Sequence, residues 1–296
     1  MTTLPITAAR ESALRYLSCL RPQDILVLQG PPLLGAAFAL RQWDIHAVLP
    51  LLTLLFANIF LITHVFMLND WSGLTADLAD PNKAAGVFTA KGVGRREISI
   101  LTAAFLFGAL FLFSRLGTTT LAFAIAIAVL SALYSLPRFN WKGKPFLNSV
   151  AHLAGGILHF LLGYSVANTI DIRAVAIATF FALIFAAGHL TQEIRDYDGD
   201  TANAIQTNAV LFGQRRTFLA SLILFASAHA VFLALVLGGF VPRILATVAM
   251  AYAIQLYWSY ETLTEGFTYT SISRLQTRYR VLYALVGVVI VAALLV

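Results

Sequence analysis

The sequence predicts an all-α, polytopic membrane protein: nine transmembrane helices bundled around a central cavity, with the N-terminus in the cytoplasm. Three observations carry this. Apolar residues make up 59 % of the 296-residue chain and charged residues 11 %, whereas a soluble domain carries about 25 % charged residues. Nine stretches free of Asp, Glu, Lys and Arg approach or exceed the length a bilayer requires. The cations collect in every second connection between those stretches. A soluble globule, a disordered chain and, with a single cysteine, a disulfide scaffold are excluded. The net charge of +6 follows membrane topology by its placement, and nucleic acid is not an expected partner.

A spanning helix needs about 20 mostly apolar residues, because about 1.5 Å of rise per residue must cross about 30 Å of hydrocarbon. The nine stretches run over residues 25–40, 45–69, 98–114, 116–137, 145–170, 174–192, 217–242, 244–260 and 281–296. The shorter ones extend by letting flanking Arg and Lys side chains reach the headgroups. Backbone groups in lipid must pair within their own segment, so these are helices. Arg10, Glu11 and Arg15 interrupt any apolar run before residue 21, so no cleavable signal is expected and the first helix stays in the protein. Residues 1–296 read as one domain.

Orientation follows from the cations. Arg10, Arg15 and Arg21 precede the first helix, and every second connection after it is also basic. These connections hold Lys83, Lys91, Arg95 and Arg96; Arg138, Lys142 and Lys144; Arg195, Arg215 and Arg216; and Arg274, Arg278 and Arg280. The opposite connections hold one each, Arg41, Arg115, Arg173 and Arg243. Such one-sidedness places the basic loops in the cytoplasm of an inner or plasma membrane.

Seven of the 14 acids fall in two of these cytoplasmic segments. NDWSGLTADLADPNK, residues 69–83, carries Asp70, Asp77 and Asp80; QEIRDYDGD, residues 192–200, carries Glu193, Asp196, Asp198 and Asp200. Each follows a long apolar stretch, and helical spacings of three, four and seven put such residues on one face. A shift of 123 residues takes Asp70 to Glu193, Gly73 to Asp196 and Asp77 to Asp200. This reads as an internal repeat of helices two and three in helices six and seven, which brings both segments to one mouth of a bundle.

Carboxylates about 6 Å apart repel by about 2–3 kcal/mol per pair at an effective dielectric near 20. Gathering this many makes sense when cations sit between them. Oxygen-only ligands suit Mg2+, which binds through one or two carboxylates plus phosphate oxygens. Lys83, Lys91, Arg95, Arg96, Lys142, Lys144 and Arg195 stand close in sequence, and acid, metal, phosphate and base are the parts a diphosphate site requires.

The chain resembles the UbiA superfamily of intramembrane prenyltransferases. That family carries N-D-x-x-D-x-x-x-D after its second helix and D-x-x-D-x-x-x-D after its sixth. Asn69, Asp70 and Asp77 match the first, and Glu193, Asp196 and Asp200 the second. YSLP at 134–137, followed by Lys142, resembles the family's Tyr-Ser-x-Pro loop, and LRP at 20–22 the start of its first helix. The middle acid of the first motif is replaced by Gly73; Asp80 is a candidate to compensate.

The resemblance implies Mg2+-dependent transfer of an isoprenyl group from a prenyl diphosphate to a small acceptor, aromatic or lipid-precursor, within the bilayer. It implies that Asn69, Asp70, Asp77, Glu193, Asp196 and Asp200 hold metal. Lys83, Lys142 and Arg195 are implied phosphate contacts, and Tyr134 and Ser135 are implied to bind diphosphate or position the acceptor. An intramembrane terpene cyclase using the same diphosphate site is the alternative, and a cation transporter a more distant one. His64, His152, His159 and His189 lie inside apolar stretches, where a polar side chain either serves function or ties helices together.

Overall fold

The computed structural model describes residues 14–40 and 42–295; Arg10, Glu11, Arg41 and Val296 of the topology argument lie outside them. Among the described residues every regular element is a helix. The first apolar stretch forms two short helices: α1 covers Pro22–Val27 and α2 Gly30–Ala39. Next come α3 (Ile45–Ala79), α4 (Arg95–Ser114), α5 (Thr118–Ser135), α6 (Leu147–Tyr164) and α7 (Ile172–Arg195). Two short helices follow, α8 (Tyr197–Ala202) and α9 (Asn208–Phe212), and then α10 (Gln214–Leu237). A 3-10 segment, Arg243–Val248, leads into α11 (Ala249–Glu265), and α12 (Tyr269–Leu295) ends the fold. Six of these, α3, α4, α5, α7, α10 and α12, are long and apolar enough to cross a membrane.

Two helices set the site. Asp44 caps α3 by accepting from the amides of His46 (2.9 Å) and Ala47 (3.2 Å). The helix then runs for 35 residues, about 50 Å at 1.5 Å per residue, against about 30 Å of hydrocarbon. Its last turns, with Asn69, Asp70 and Asp77, therefore stand clear of the lipid tails. It stops at Asp80, which is extended (φ −90°, ψ 113°), because the following Pro81 disfavours helix at the residue before it. In α7, 56 % of the most apolar window is buried inside the protein, against 22–39 % in the other five long helices, so α7 is the central helix. Its N-cap is Asp171, which accepts from Ala174 N at 2.7 Å.

The core fills both sides of α7. Phe160, Phe180 and Phe232 pack from α6, α7 and α10, and Leu54, Leu61 and Phe113 fill the α3–α4 half. Glycines let two backbones touch: a Cβ at Gly35 would strike the Phe160 carbonyl, and one at Gly163 the Pro32 carbonyl. That close approach seats α2 on α6. Polar ties replace hydrophobic drive where lipid and protein are equally apolar. His64 Nδ1 bonds Thr102 O at 2.9 Å, joining α3 to α4. His159 Nε2 bonds Asn58 Oδ1 at 2.8 Å, and Asn58 Nδ2 donates to Gln29 Oε1 at 2.8 Å in the α1–α2 break.

Candidate active site

The two acidic segments, read from the sequence as one mouth, do meet. Lys83, just past α3, donates to Asp196 Oδ2 at 3.0 Å, between positions 113 residues apart. Asn203 Nδ2 donates to Ala76 O at 3.2 Å. Gly199 packs so tightly on Asp80 that a Cβ there would meet its carboxylate. Asp80 is buried at 4 % exposure, and its Oδ1 accepts from Asn82 N at 2.9 Å. It therefore seals the joint between the segments.

On the α3 side, Asp70 is ion-paired with Arg21, whose guanidinium also lies over the Phe66 ring at 5.6 Å. From the sequence Arg21 is a topology cation and the middle of the LRP tripeptide at 20–22, not a site residue, and that tripeptide was the signal available. The Asn69 Oδ1 atom is buried without a hydrogen-bond partner. At Gly73 a Cβ would lie 3.3 Å from Asp77 Oδ2 and 3.8 Å from Lys142 Nζ. Lys142, carried on the 3-10 turn Trp141–Gly143, thus reaches the place the missing acid would have occupied.

On the α7 side the expected single face is divided. The helix breaks at Asp196 (φ −88°, ψ 5°), which ends α7 and precedes α8. Arg195 clasps Asp196 through Nε at 2.7 Å and Nη2 at 3.2 Å, and donates from Nη1 to Gln276 Oε1 on α12 at 3.0 Å. It is spent on Asp196 and the last helix. Glu193, 3 % exposed, points the other way. Its Oε1 accepts from Asn148 Nδ2 and Asn208 Nδ2, both at 2.9 Å, and its Oε2 from Ala209 N at 3.1 Å. Both oxygens are thus held by protein donors from α6 and α9.

The charges tune one another. Burial pushes the Asp200 carboxyl up to about 6, and neighbouring Asp196 adds to the shift. Burial also opposes the Asp196 carboxylate, but the Arg195 hydrogen bond and charge outweigh it and hold its pKa below the usual value. For Lys83 burial disfavours the ammonium, and the Asp196 carboxylate more than offsets that, so its pKa is raised.

Beneath the rim, the Tyr134 ring stands nearly perpendicular to those of His152 (centroids 5.2 Å) and His189 (6.5 Å). Ser135 Oγ is buried without a partner. Among the described residues, no group of three His, Cys, Asp or Glu side chains forms a metal cage by itself. A Mg2+–diphosphate site does not need one, since phosphate and water complete the shell around one or two carboxylates. All-oxygen donors and the unpartnered Asn69 Oδ1 fit that ion.

Residues 30–275 match the UbiA prenyltransferase family. The chain is 31 % identical over 229 residues to a lycopene elongase/hydratase from Haloarcula japonica, covering 75 % of each protein. Its fold is similar to a UbiA homologue from Archaeoglobus fulgidus solved with GPP and Mg2+ (TM-score 0.74, 21 % identity, 95 % of this chain and 100 % of that one). It is also similar to an apo UbiA homologue from Aeropyrum pernix (TM-score 0.70, 18 % identity, 91 % and 98 %). The matched stretch runs from α2 to the last helix and takes in both acidic segments, and the chain belongs to the UbiA prenyltransferase family.

Proposed function

We propose that this prenyltransferase breaks the C–O bond of a prenyl diphosphate at the cytoplasmic end of its bundle and passes the isoprenyl group to a small aromatic or lipid-precursor acceptor in the membrane. One observation supports this above the others: carboxylates from two distant segments share a rim with Lys83, Lys142 and Arg21. The relatives point the same way, one named for elongating lycopene and one solved with GPP and Mg2+.

In this reading Asn69, Asp70, Asp77, Asp196 and Asp200 hold Mg2+. The bound metal supplies positive charge against the leaving diphosphate. Lys83 and Lys142 bind its oxygens, and Arg21 leaves Asp70 to join them, since a guanidinium forks onto phosphate as readily as onto carboxylate. Arg195 steadies Asp196. Tyr134 and Ser135 bind the diphosphate or position the acceptor. Glu193 contributes to that set at most through Oε2, because Oε1 accepts from both Asn148 and Asn208 while Oε2 accepts from Ala209 N alone.

The topology belongs to the same proposal. The α1–α2 pair, α6, and α11 with its 3-10 lead supply three crossings beyond the six long helices, with the basic loops inside. The internal repeat is supported by packing: α3 pairs most extensively with α4 and α7 with α10, and each first member ends in an acidic segment.

The test is purified protein in lipid vesicles with geranyl diphosphate and Mg2+. Diphosphate release is expected to require Mg2+ and to fall by at least about 100-fold in Asp70→Asn and Asp196→Asn. Cation flux without diphosphate release would point to a transporter and end the proposal. A cyclic hydrocarbon formed without any acceptor would point to the terpene cyclase.

A further inference from the structure

Four ties along the nine residues 16–24 fasten this segment to four different parts of the bundle. Tyr16 Oη donates to Glu97 Oε1 in the first turn of α4. Lys91 Nζ, in the loop before α4, donates to Ser18 O at 2.6 Å. Arg21 is paired with Asp70 in the last turns of α3. Asp24 Oδ1 lies 2.7 Å from Arg280 Nη2 on α12. The segment thus runs from the α3–α4 side of the bundle to the last helix and touches the acidic rim at Asp70. Between the ties, Cys19 is 9 % exposed and packs against Phe88, Val93 and Ile98.

Different forces hold the two ends of this segment. At the α1–α2 joint the holders are neutral and buried: Asn58 Nδ2 donates to Leu28 O at 3.1 Å and to Gln29 Oε1 at 2.8 Å. Breaking them would strand polar groups inside the protein, which is costly. The Arg21–Asp70 and Asp24–Arg280 pairs are instead partly exposed. Water replaces a lost partner there, and such pairs contribute little to stability. The segment therefore pivots at residues 28–29 and frees its ion-paired end first. One tie is also an obstacle. Arg21 covers a carboxylate that holds Mg2+ in the prenyl-transfer reading, so the guanidinium must leave before the metal can bind there.

We propose that residues 16–27 form a strap over the diphosphate site. Arg21 on Asp70 shuts it in the empty protein, Mg2+ at that carboxylate releases it, and Arg21 on the incoming diphosphate shuts it again. This rests on the prenyl-transfer reading above. The order has a physical reason. Once a divalent cation takes Asp70, the guanidinium has lost its anion, and the next one to reach the rim is the diphosphate, onto which it forks. Asp24 and Arg280 tether the strap while Arg21 is between partners. The strap thus yields to the substrate's charge and then covers it, which keeps water from the bond that breaks.

Cys19 is the single cysteine of the chain, so it reports on the strap without any substitution. Burial raises its pKa, and a shut strap therefore hides the thiolate as well as the sulfur. The experiment follows labelling by N-ethylmaleimide at constant pH, with the full chain in lipid nanodiscs that leave both faces open. Labelling is expected to be slow in the protein alone, at least about tenfold faster with Mg2+, and slow again with Mg2+ plus inorganic diphosphate. Arg21→Gln is expected to label fast in all three conditions. Asp24→Asn is expected to label faster than wild type with Mg2+ and still to slow on adding diphosphate. A wild-type rate that Mg2+ leaves unchanged overturns the proposal. So does a Mg2+-accelerated rate that diphosphate does not slow, or an Arg21→Gln protein that labels as slowly as wild type. Diphosphate release from geranyl diphosphate is measured on the same wild-type sample. Its absence ends the prenyl-transfer reading, whereas release with a constant labelling rate ends the strap alone.

Discussion

Lys83 Nζ lies 3.0 Å from Asp196 Oδ2 and 3.6 Å from Asp80 Oδ2, so one ammonium spans the joint between the segment after α3 and the segment after α7. It is the charge that lets two anionic rims touch before any substrate arrives.

Lys83→Met is therefore expected to raise the KM for prenyl diphosphate about tenfold while changing kcat less. The two constants measured together check this. Equal loss in kcat and kcat/KM would show that Lys83 acts only in the transition state.

Arg21 occupies Asp70 in the ligand-free protein, so it competes with a metal for that carboxylate. Arg21→Gln is expected to tighten Mg2+ binding severalfold in the absence of substrate and to weaken diphosphate binding severalfold. Calorimetric titration with Mg2+ alone, then with diphosphate, separates the two effects. Weaker Mg2+ binding in the variant contradicts the assignment.

Gly73→Asp restores the family's missing acid beside Lys142 Nζ, whose distance from a Cβ there would be 3.8 Å. The new carboxylate meets the Lys142 ammonium but also stands beside Asp77, whose Oδ2 would lie 3.3 Å from that Cβ, so a bound cation is what offsets the repulsion. The half-saturating Mg2+ concentration is expected to drop severalfold. No change in that concentration would show that the first motif's middle position does not reach the metal.

Gly163→Ala puts a Cβ into the Pro32 carbonyl, where backbone rather than a flexible side chain must yield. Overpacking of this kind costs about 1–3 kcal/mol or more, so a thermal midpoint several degrees lower is expected. Gly30→Ala is the control, since no atom lies within 4 Å of its Cβ position. Equal melting of the two variants would mean that α2 and α6 do not pack backbone to backbone.

Much was legible before any coordinates. The long apolar stretches and the two acidic segments are patterns along the chain, and local chemistry decides them. Hydrocarbon demands internally paired backbone. What the sequence determined by itself was the membrane, the helices and which segments hold the carboxylates. The roles within those segments depended on partners far away in the chain. Glu193 and Asp196 are both motif acids, yet Glu193 is held by Asn148 and Asn208 from α6 and α9 while Asp196 faces Lys83 from beyond α3. Arg21 meets Asp70, and His152 lies flat on His189, only because α1 and α6 pack where they do. Spacing within one helix fixes direction to within a face; which donor stands opposite is set by packing, and that is what tertiary structure alone decided.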